Sequence, residues 1–362
     1  MADANAVRAA SEKLYRDNEK QTRSGRVFHE KSHGCLTGTL TVRGERPQDP
    51  EHRTNVGLFA AGASYPVIGR FSNGVGVNQH DADPDVRGLA LKIFAGGDVP
   101  VDFLMTNATN PLGRDLDHFV EFMNAQVRGN LATLGFVKRS VDFQKSSTDY
   151  KTQHDELPYL RHFARSVLAQ IDAVERERYW GGHPYLFGPN LHMKFNVQPA
   201  DYSEQDQFKY DHRGDGVGFA KLAEVFGTLA VHRLGRPADY LRRHLKETAA
   251  AGPIHYVLNV QLEVGPVATP IENALVEWEE KYSPSIPVAD IVFDQQNFDQ
   301  PARDEACSRL RFTPGHFHPE HRPAGNMGRG RLFAYFASQA ARPSDEQSPD
   351  AGIVERWRAG KY

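Results

Sequence analysis

The sequence predicts an α+β fold: one domain of antiparallel strands with helices inserted between them. Three observations predict it. Short runs of alternating apolar and polar residues recur, bounded by Gly, Pro and Asp. Between them lie segments whose apolar residues recur every three or four positions, the spacing of a half-buried helix. No strand–helix unit opens on a Gly-rich phosphate loop. Gly74-Val75-Gly76 follows an Arg-Phe-Ser strand but lacks the rest of the dinucleotide pattern.

In chain order, residues 3–20 read as an exposed helix with Val7, Leu14 and Tyr15 on a sparse apolar side. Strands are predicted at 35–42, 67–72, 88–94 and 101–105. Residues 115–132 carry Leu116, Phe119, Val120 and Met123 at helical spacing, and 162–179 read as a second amphipathic helix. Strands return at 190–198 and 255–264, with helices at 220–229 and 238–250 between them. Residues 291–293 form a further short apolar stretch, and 329–341 the last helix. The polar stretch 343–352 reads as a surface loop. With no internal repeat or low-complexity linker, 1–362 reads as a single domain, with a helical arm at 1–22 and a surface tail at 343–362.

A chain of 362 residues, 40% apolar and 25% charged, can bury a large core. Its net charge of −3 argues against nucleic acid or an anionic membrane as partner. No run of about 18 apolar residues could span a bilayer. Residues 1–20 are charged throughout and lack the apolar core of a signal peptide. Two cysteines, Cys35 and Cys307, give no disulfide framework, so a reduced cytoplasmic protein is expected.

The chemistry concentrates near the C-terminus. If residues 329–341 are helical, Arg331 sits one turn before Tyr335 and Arg342 two turns after it, on one face. A free phenol ionises near pH ~10, and a neighbouring guanidinium favours its anion. A phenolate on a buried helix is a good ligand for ferric iron. The alternative is an amphipathic helix end, with Arg on the solvated side and Phe333 and Tyr335 in the core.

His29-Glu30-Lys31-Ser32-His33 matches the H-E-x-x-H zinc signature. That chemistry needs both histidines on one rigid helix. Gly34 and a β-like run follow at once, so a zinc hydrolase is the weaker reading and His33 is expected as a satisfied surface or loop histidine.

Arg26-Val27-Phe28-His29, leading through glycine into a strand, resembles the distal-histidine segment of haem catalases. Arg70-Phe71-Ser72 is similar to that family's R-F-S strand. Asp85-Val86-Arg87-Gly88-Leu89-Ala90-Leu91-Lys92 is similar to its D-x-R-G-x-A-L-K run, and residues 102–107 to the segment carrying its distal asparagine. Arg331 to Arg342 resembles its R-x-F-x-Y…R proximal helix. Five such matches in order cover nearly the whole chain. The loop Phe317-His318-Pro319-Glu320-His321-Arg322-Pro323, running on to Arg329, resembles the small catalase-related proteins, which include coral allene oxide synthase and bacterial minicatalases. Its histidines read as a loop entering the proximal helix.

The resemblance implies an eight-stranded antiparallel β-barrel with surrounding helices, and haem b, carrying ferric iron, buried between the barrel and the proximal helix. It implies Tyr335 as iron ligand, kept ionised by Arg331. His29 would be the distal acid–base group and Asn107 the distal hydrogen-bond donor, with Asn110 the alternative register. Arg26, Arg70 and Arg342 would bind haem propionates, and Phe28 and Ser72 would join the cofactor pocket. A valine that narrows the catalase channel corresponds to Gly74, and a distal aromatic residue to Leu112. A wider channel would admit organic or fatty-acid hydroperoxides, giving peroxidase or allene oxide synthase-type chemistry. The alternatives are a hydrogen peroxide-dismutating minicatalase and a non-catalytic haem-binding protein. The N-terminal arm could exchange between subunits of a homo-oligomer, as such arms do in catalases.

Overall fold

The computed structural model describes residue 9 and residues 26, 28–51, 53–97, 100–111, 113–127, 171–211, 235–340 and 352–362. The predicted helices at 3–20 (apart from residue 9) and 220–229, together with Leu112 and Arg342, lie outside these residues.

Among the described residues nine strands form one antiparallel sheet: β1 (Ser32–Val42), β2 (Ser64–Asn73), β3 (Arg87–Ile93), β4 (Val101–Thr106), β5 (Tyr179–Gly181), β6 (Tyr185–Phe187), β7 (Leu191–Pro199), β8 (Ile254–Leu262) and β9 (Ile286–Phe293). Their order is β5-β4-β3-β2-β1-β9-β8-β7-β6, and a further β5–β7 pairing closes eight of them into a barrel. Closure removes every open edge except that of the short β6, a hairpin arm on β7. Alternation fills the inside: Leu36, Phe71, Leu89, Phe103, Met105, Phe195, Leu258 and Phe293 all belong to one buried cluster.

Among the described residues six helices surround the barrel: α1 (Leu116–Val127), α2 (Glu204–Asp211), α3 (Tyr240–Ala251), α4 (Pro301–Arg309), α5 (Gly325–Ala340) and α6 (Gly352–Arg358). The outer face of β1–β4 carries a second apolar cluster. Cys35, Ile68 and Leu104 from the strands meet Cys307, Leu310 and Phe312, together with Val354 and Trp357 of α6; Tyr335 of α5 packs against the same group. The residues left outside the barrel by the period of two are therefore covered, and this face carries the candidate site.

Three expectations change. Residues 171–179 are not helical: they run through a 3₁₀ turn, Val174–Arg176, into β5, because Val174 and Tyr179 belong inside the barrel and Tyr179 pairs with Val197. The C-terminal tail is not all surface, since Val354 and Trp357 of α6 are buried on the barrel. Cys35 and Cys307 form a disulfide, where a framework was not expected. The two stand 272 residues apart in sequence, and folding α4 onto β1 brings them together.

Candidate active site

His29 precedes β1 and is the one non-glycine residue among those described with a positive φ, 58°. Such a conformation costs about 1–3 kcal/mol and persists where the surroundings over-determine it. Here its N–H donates to Gly74 O at 2.8 Å, and its carbonyl accepts from Arg70 Nη2 at 2.8 Å. Nδ1 lies 3.1 Å from Ser72 Oγ. A Cβ on Gly88 would stand 2.6 Å from Nδ1 and 2.9 Å from Ser72 Oγ, so the ring rests where position 88 has no side chain. Burial pushes the His29 pKa down to about 3; Arg70, Arg331 and Arg26 act in the same sense, and a hydrogen bond to the Asn73 backbone opposes them.

The register shows which face this is. Ser72 pairs with Gly88, and Gly88 with Thr106. Their neighbours Phe71, Leu89 and Met105 point into the barrel. The row of Ser72, Gly88 and Thr106 therefore faces outward. The next outward row is Cys35, Arg70, Ala90 and Leu104. Tyr335 packs on this same face, in the cluster with Cys35, Ala90 and Leu104.

Arg331 Nη2 donates to Tyr335 Oη at 3.2 Å, one turn apart on α5. Burial works against the Arg331 charge, yet Tyr335 and Tyr185 outweigh it and raise its pKa. The sequence reading missed two residues beside this pair. His183 and Tyr185 are buried and stacked with ring centroids 4.5 Å apart. His183 Nε2 and Tyr185 Oη have no hydrogen-bond partner among the described residues. Their separation from Arg331 in sequence leaves no local signal.

Arg26 Nη2 donates to Ser308 O (3.0 Å) and Leu310 O (2.7 Å) at the end of α4. Its Nε is buried with no partner among the described residues. Burial lowers its pKa to about 10, against the pull of Glu30 and Tyr335. Arg70 is buried in the second outward row.

No protein-family model matches the chain, and no curated protein matches it. Solved structures do. A bacterial catalase superposes with a TM-score of 0.61 at 20% identity, over 88% of this chain and 57% of its own. A fungal catalase gives 0.60 at 17%, over 90% and 60%. Catalase A from Saccharomyces cerevisiae gives 0.60 at 16%, over 87% and 60%. The fold is catalase-like. The chain spans 57–60% of the length of these catalases.

The residues on this catalase-like face fit a haem. An iron porphyrin takes a donor side chain for its iron, with tyrosine among the known ones, cations for its carboxylates and a flat floor. Tyr335 with Arg331 offers the first, and Arg26 and Arg70 the second. Ala90, the next outward position of β3, offers a small side chain for the third, while Gly88 makes room for the His29 ring above it. Phe28 is half-buried immediately before His29.

Other expected site residues stand elsewhere. Asn107 sits one residue beyond Thr106, opposite Arg87 rather than Gly88. Its Oδ1 accepts from Arg87 N at 2.8 Å and its Nδ2 donates to Glu177 Oε2 at 3.0 Å. Asn110 is also committed, to Leu275 O and Lys194 Nζ, each at 2.9 Å. The described hydrogen bonds of both amides go to partners other than His29. At Gly74 a Cβ would lie 2.3 Å from Val86 Cγ2, so Val86 occupies the room that the glycine was expected to open. His33 is not a surface residue: it is fully buried in β1, with Nε2 2.8 Å from Asn73 Oδ1. The H-E-x-x-H segment is not helical, and no group of three His, Cys, Asp or Glu able to hold a metal occurs among the described residues. His321 is likewise buried, between the Phe59 and Phe187 rings.

Proposed function

We propose that this chain binds haem b between the outer face of β1–β4 and α5 and cleaves the O–O bond of a hydroperoxide. One observation carries the reading: the catalase-like barrel holds His29 over Gly88 on the same face that packs the Arg331–Tyr335 pair. Bound haem supplies a ferric centre that takes up oxidising equivalents from peroxide. Tyr335 would hold the iron through its oxygen, and Arg331, which donates to that oxygen, would favour negative charge on it. Arg26 and Arg70 bind the two carboxylates.

His29 accepts the peroxide proton and returns it to the leaving oxygen. A pKa of about 3 makes it a neutral acceptor at pH 7, though a weak one. Carboxylates against Arg26 and Arg70 offset part of the cationic field that lowers it, which moves His29 toward a working base.

Organic and fatty-acid hydroperoxides are the first substrates for this reading, in a peroxidase or a rearrangement of the allene oxide synthase type. Val86 in the space beside Gly74 favours a second reading, dismutation of hydrogen peroxide. Reconstitution with ferric haem tests the proposal. A Soret band with stoichiometric iron is expected, Tyr335→Phe should abolish stable loading, and His29→Ala should load normally while losing about 10²–10⁴-fold in turnover. Zinc without a Soret band overturns the haem assignment, and a fully active His29→Ala overturns the role of His29. Loading without turnover of any peroxide leaves a haem-binding protein.

A further inference from the structure

We infer that Thr106 supplies the second hydrogen bond to the hydroperoxide, and that it selects an alkyl hydroperoxide over hydrogen peroxide. This rests on the haem reading above. Gly88, which carries the His29 ring, is flanked by Ser72 on one side and Thr106 on the other, each its direct partner in the ladder. Directly opposed residues of antiparallel strands have Cβ atoms about 4.5–5.5 Å apart. Ser72 is used by His29 Nδ1. Thr106 stands across Gly88 on the same outward face, and it is half-buried where Asn107 and Asn110 are each 1% exposed.

The hydroxyl is oriented by its surroundings. Ala108 N–H donates to Thr106 Oγ1 at a long 3.4 Å, which uses an acceptor site. The hydroxyl hydrogen finds no acceptor among the described residues, so it is available to donate. A carboxamide at this position would offer two N–H donors. Threonine offers one donor and, on the same Cβ, a methyl, with few rotamers between them. One donor beside one methyl matches R–O–O–H, in which one oxygen bears hydrogen and the other carbon. Hydrogen peroxide has no carbon substituent to meet the methyl.

In the reaction His29 takes the O–H proton. Thr106 donates a hydrogen bond and keeps its own proton throughout, so it stabilises charge on oxygen without entering the proton balance.

The test uses the haem-loaded chain and two variants, with cyanide affinity read from the Soret shift and turnover read on cumene hydroperoxide and hydrogen peroxide. Thr106→Val keeps the shape and removes the hydroxyl. It should load haem normally, bind cyanide about tenfold more weakly and lose about tenfold in kcat/KM on both peroxides, the worth of one hydrogen bond. Thr106→Ser keeps the hydroxyl and removes the methyl. Its cyanide affinity should hold, while its preference for cumene hydroperoxide over hydrogen peroxide falls several-fold. Unchanged cyanide affinity in a loaded Thr106→Val removes Thr106 from the site. An unchanged preference in Thr106→Ser overturns the substrate selection alone. Failure of the unmodified chain to load haem overturns the underlying reading, and this proposal with it.

Discussion

The two walls of the candidate site are built from different secondary structure. The barrel wall is a ladder: Ser72, Gly88 and Thr106 stand side by side on three strands, and the residues beside them in sequence, Phe71, Leu89 and Met105, point into the core. The opposite wall is α5, where Arg331 and Tyr335 share a face at one-turn spacing and Phe333, between them, is 49% exposed. On the ladder a step of one residue reverses the side chain through the sheet. On the helix it turns the side chain by about a hundred degrees, and neighbours three and four away remain in reach. The ladder therefore fixes position more sharply, and a small change there should cost more chemistry.

Gly88→Ala is the strongest test of that contrast. The added carbon would fall 2.6 Å from His29 Nδ1 and 2.7 Å from Cε1, with Ser72 Oγ at 2.9 Å. The ring has little room to yield, because its backbone is held at both the N–H and the C=O. Turnover should fall at least about 10²-fold, as for loss of the acid–base group itself, with haem loading through Tyr335 retained. The barrel itself should lose only about 1–3 kcal/mol, as for overpacking elsewhere. Stopped-flow peroxide decay with parallel Soret spectra reads both. Near-normal turnover would mean that the ring does not need its seat on position 88.

Next in size is the response to acid, which also falls mainly on the barrel side. Burial lowers His29 to about 3, and His33 and His321 to about 4, from an ordinary 6.5. In this window the unfolded chain binds protons that the folded chain does not, so stability rises with pH. The contribution is complete above pH 6.5 and is lost as pH falls toward 4. Asp85 works the other way. Burial raises its carboxyl to about 6, so the folded state holds a proton that the unfolded state has released, and this part declines as pH rises from 3.8 to 6. Burial also holds His183 well below its ordinary value, so four histidines against one carboxyl leave a net acid lability, on the order of 1.4 kcal/mol per pH unit for each uncompensated proton. Urea midpoints of the haem-free chain should drop steeply between pH 6.5 and 4.5. A flat profile would show that these rings are hydrated or paired in solution.

The same contrast explains what could be read from sequence. Arg331 and Tyr335 were legible at once, since helical spacing alone puts them in contact. The strands at 35–42, 67–72, 88–94 and 101–105 were legible from alternation, and all four are strands in the structure. The motif match that singled out Asn107 could not show which of Thr106 and Asn107 lies on the outward face, because a motif match carries no register. Only the pairing of Gly88 with Thr106 shows which of the two faces outward. Helix α4 escaped notice because its nine residues have almost no apolar stripe, and its disulfide partner lies in β1. The room at Gly74 could not be judged without Val86, a neighbour supplied by another turn of chain.

Asn107 provides the smallest and most discriminating prediction. If it belongs to the ladder's inner side, its amide is a structural tie between β3 and Glu177. Asn107→Ala then leaves the Arg87 N–H without its side-chain acceptor and removes one hydrogen bond from the buried Glu177 carboxylate, which keeps other contacts. The expected cost is about 1–3 kcal/mol of folding stability, the usual penalty for stranded buried polar groups. Cyanide affinity and turnover per loaded haem should stay within about twofold of the parent, well below the tenfold worth of a lost hydrogen bond. Thr106→Val should show the reverse pattern, with stability nearly unchanged and ligand affinity reduced. The pair forms a direct test of register, because the two residues are adjacent in sequence and differ in the side of the sheet they serve. A loss of cyanide affinity in Asn107→Ala, with Thr106→Val silent, would reverse the assignment and turn Asn107 toward His29.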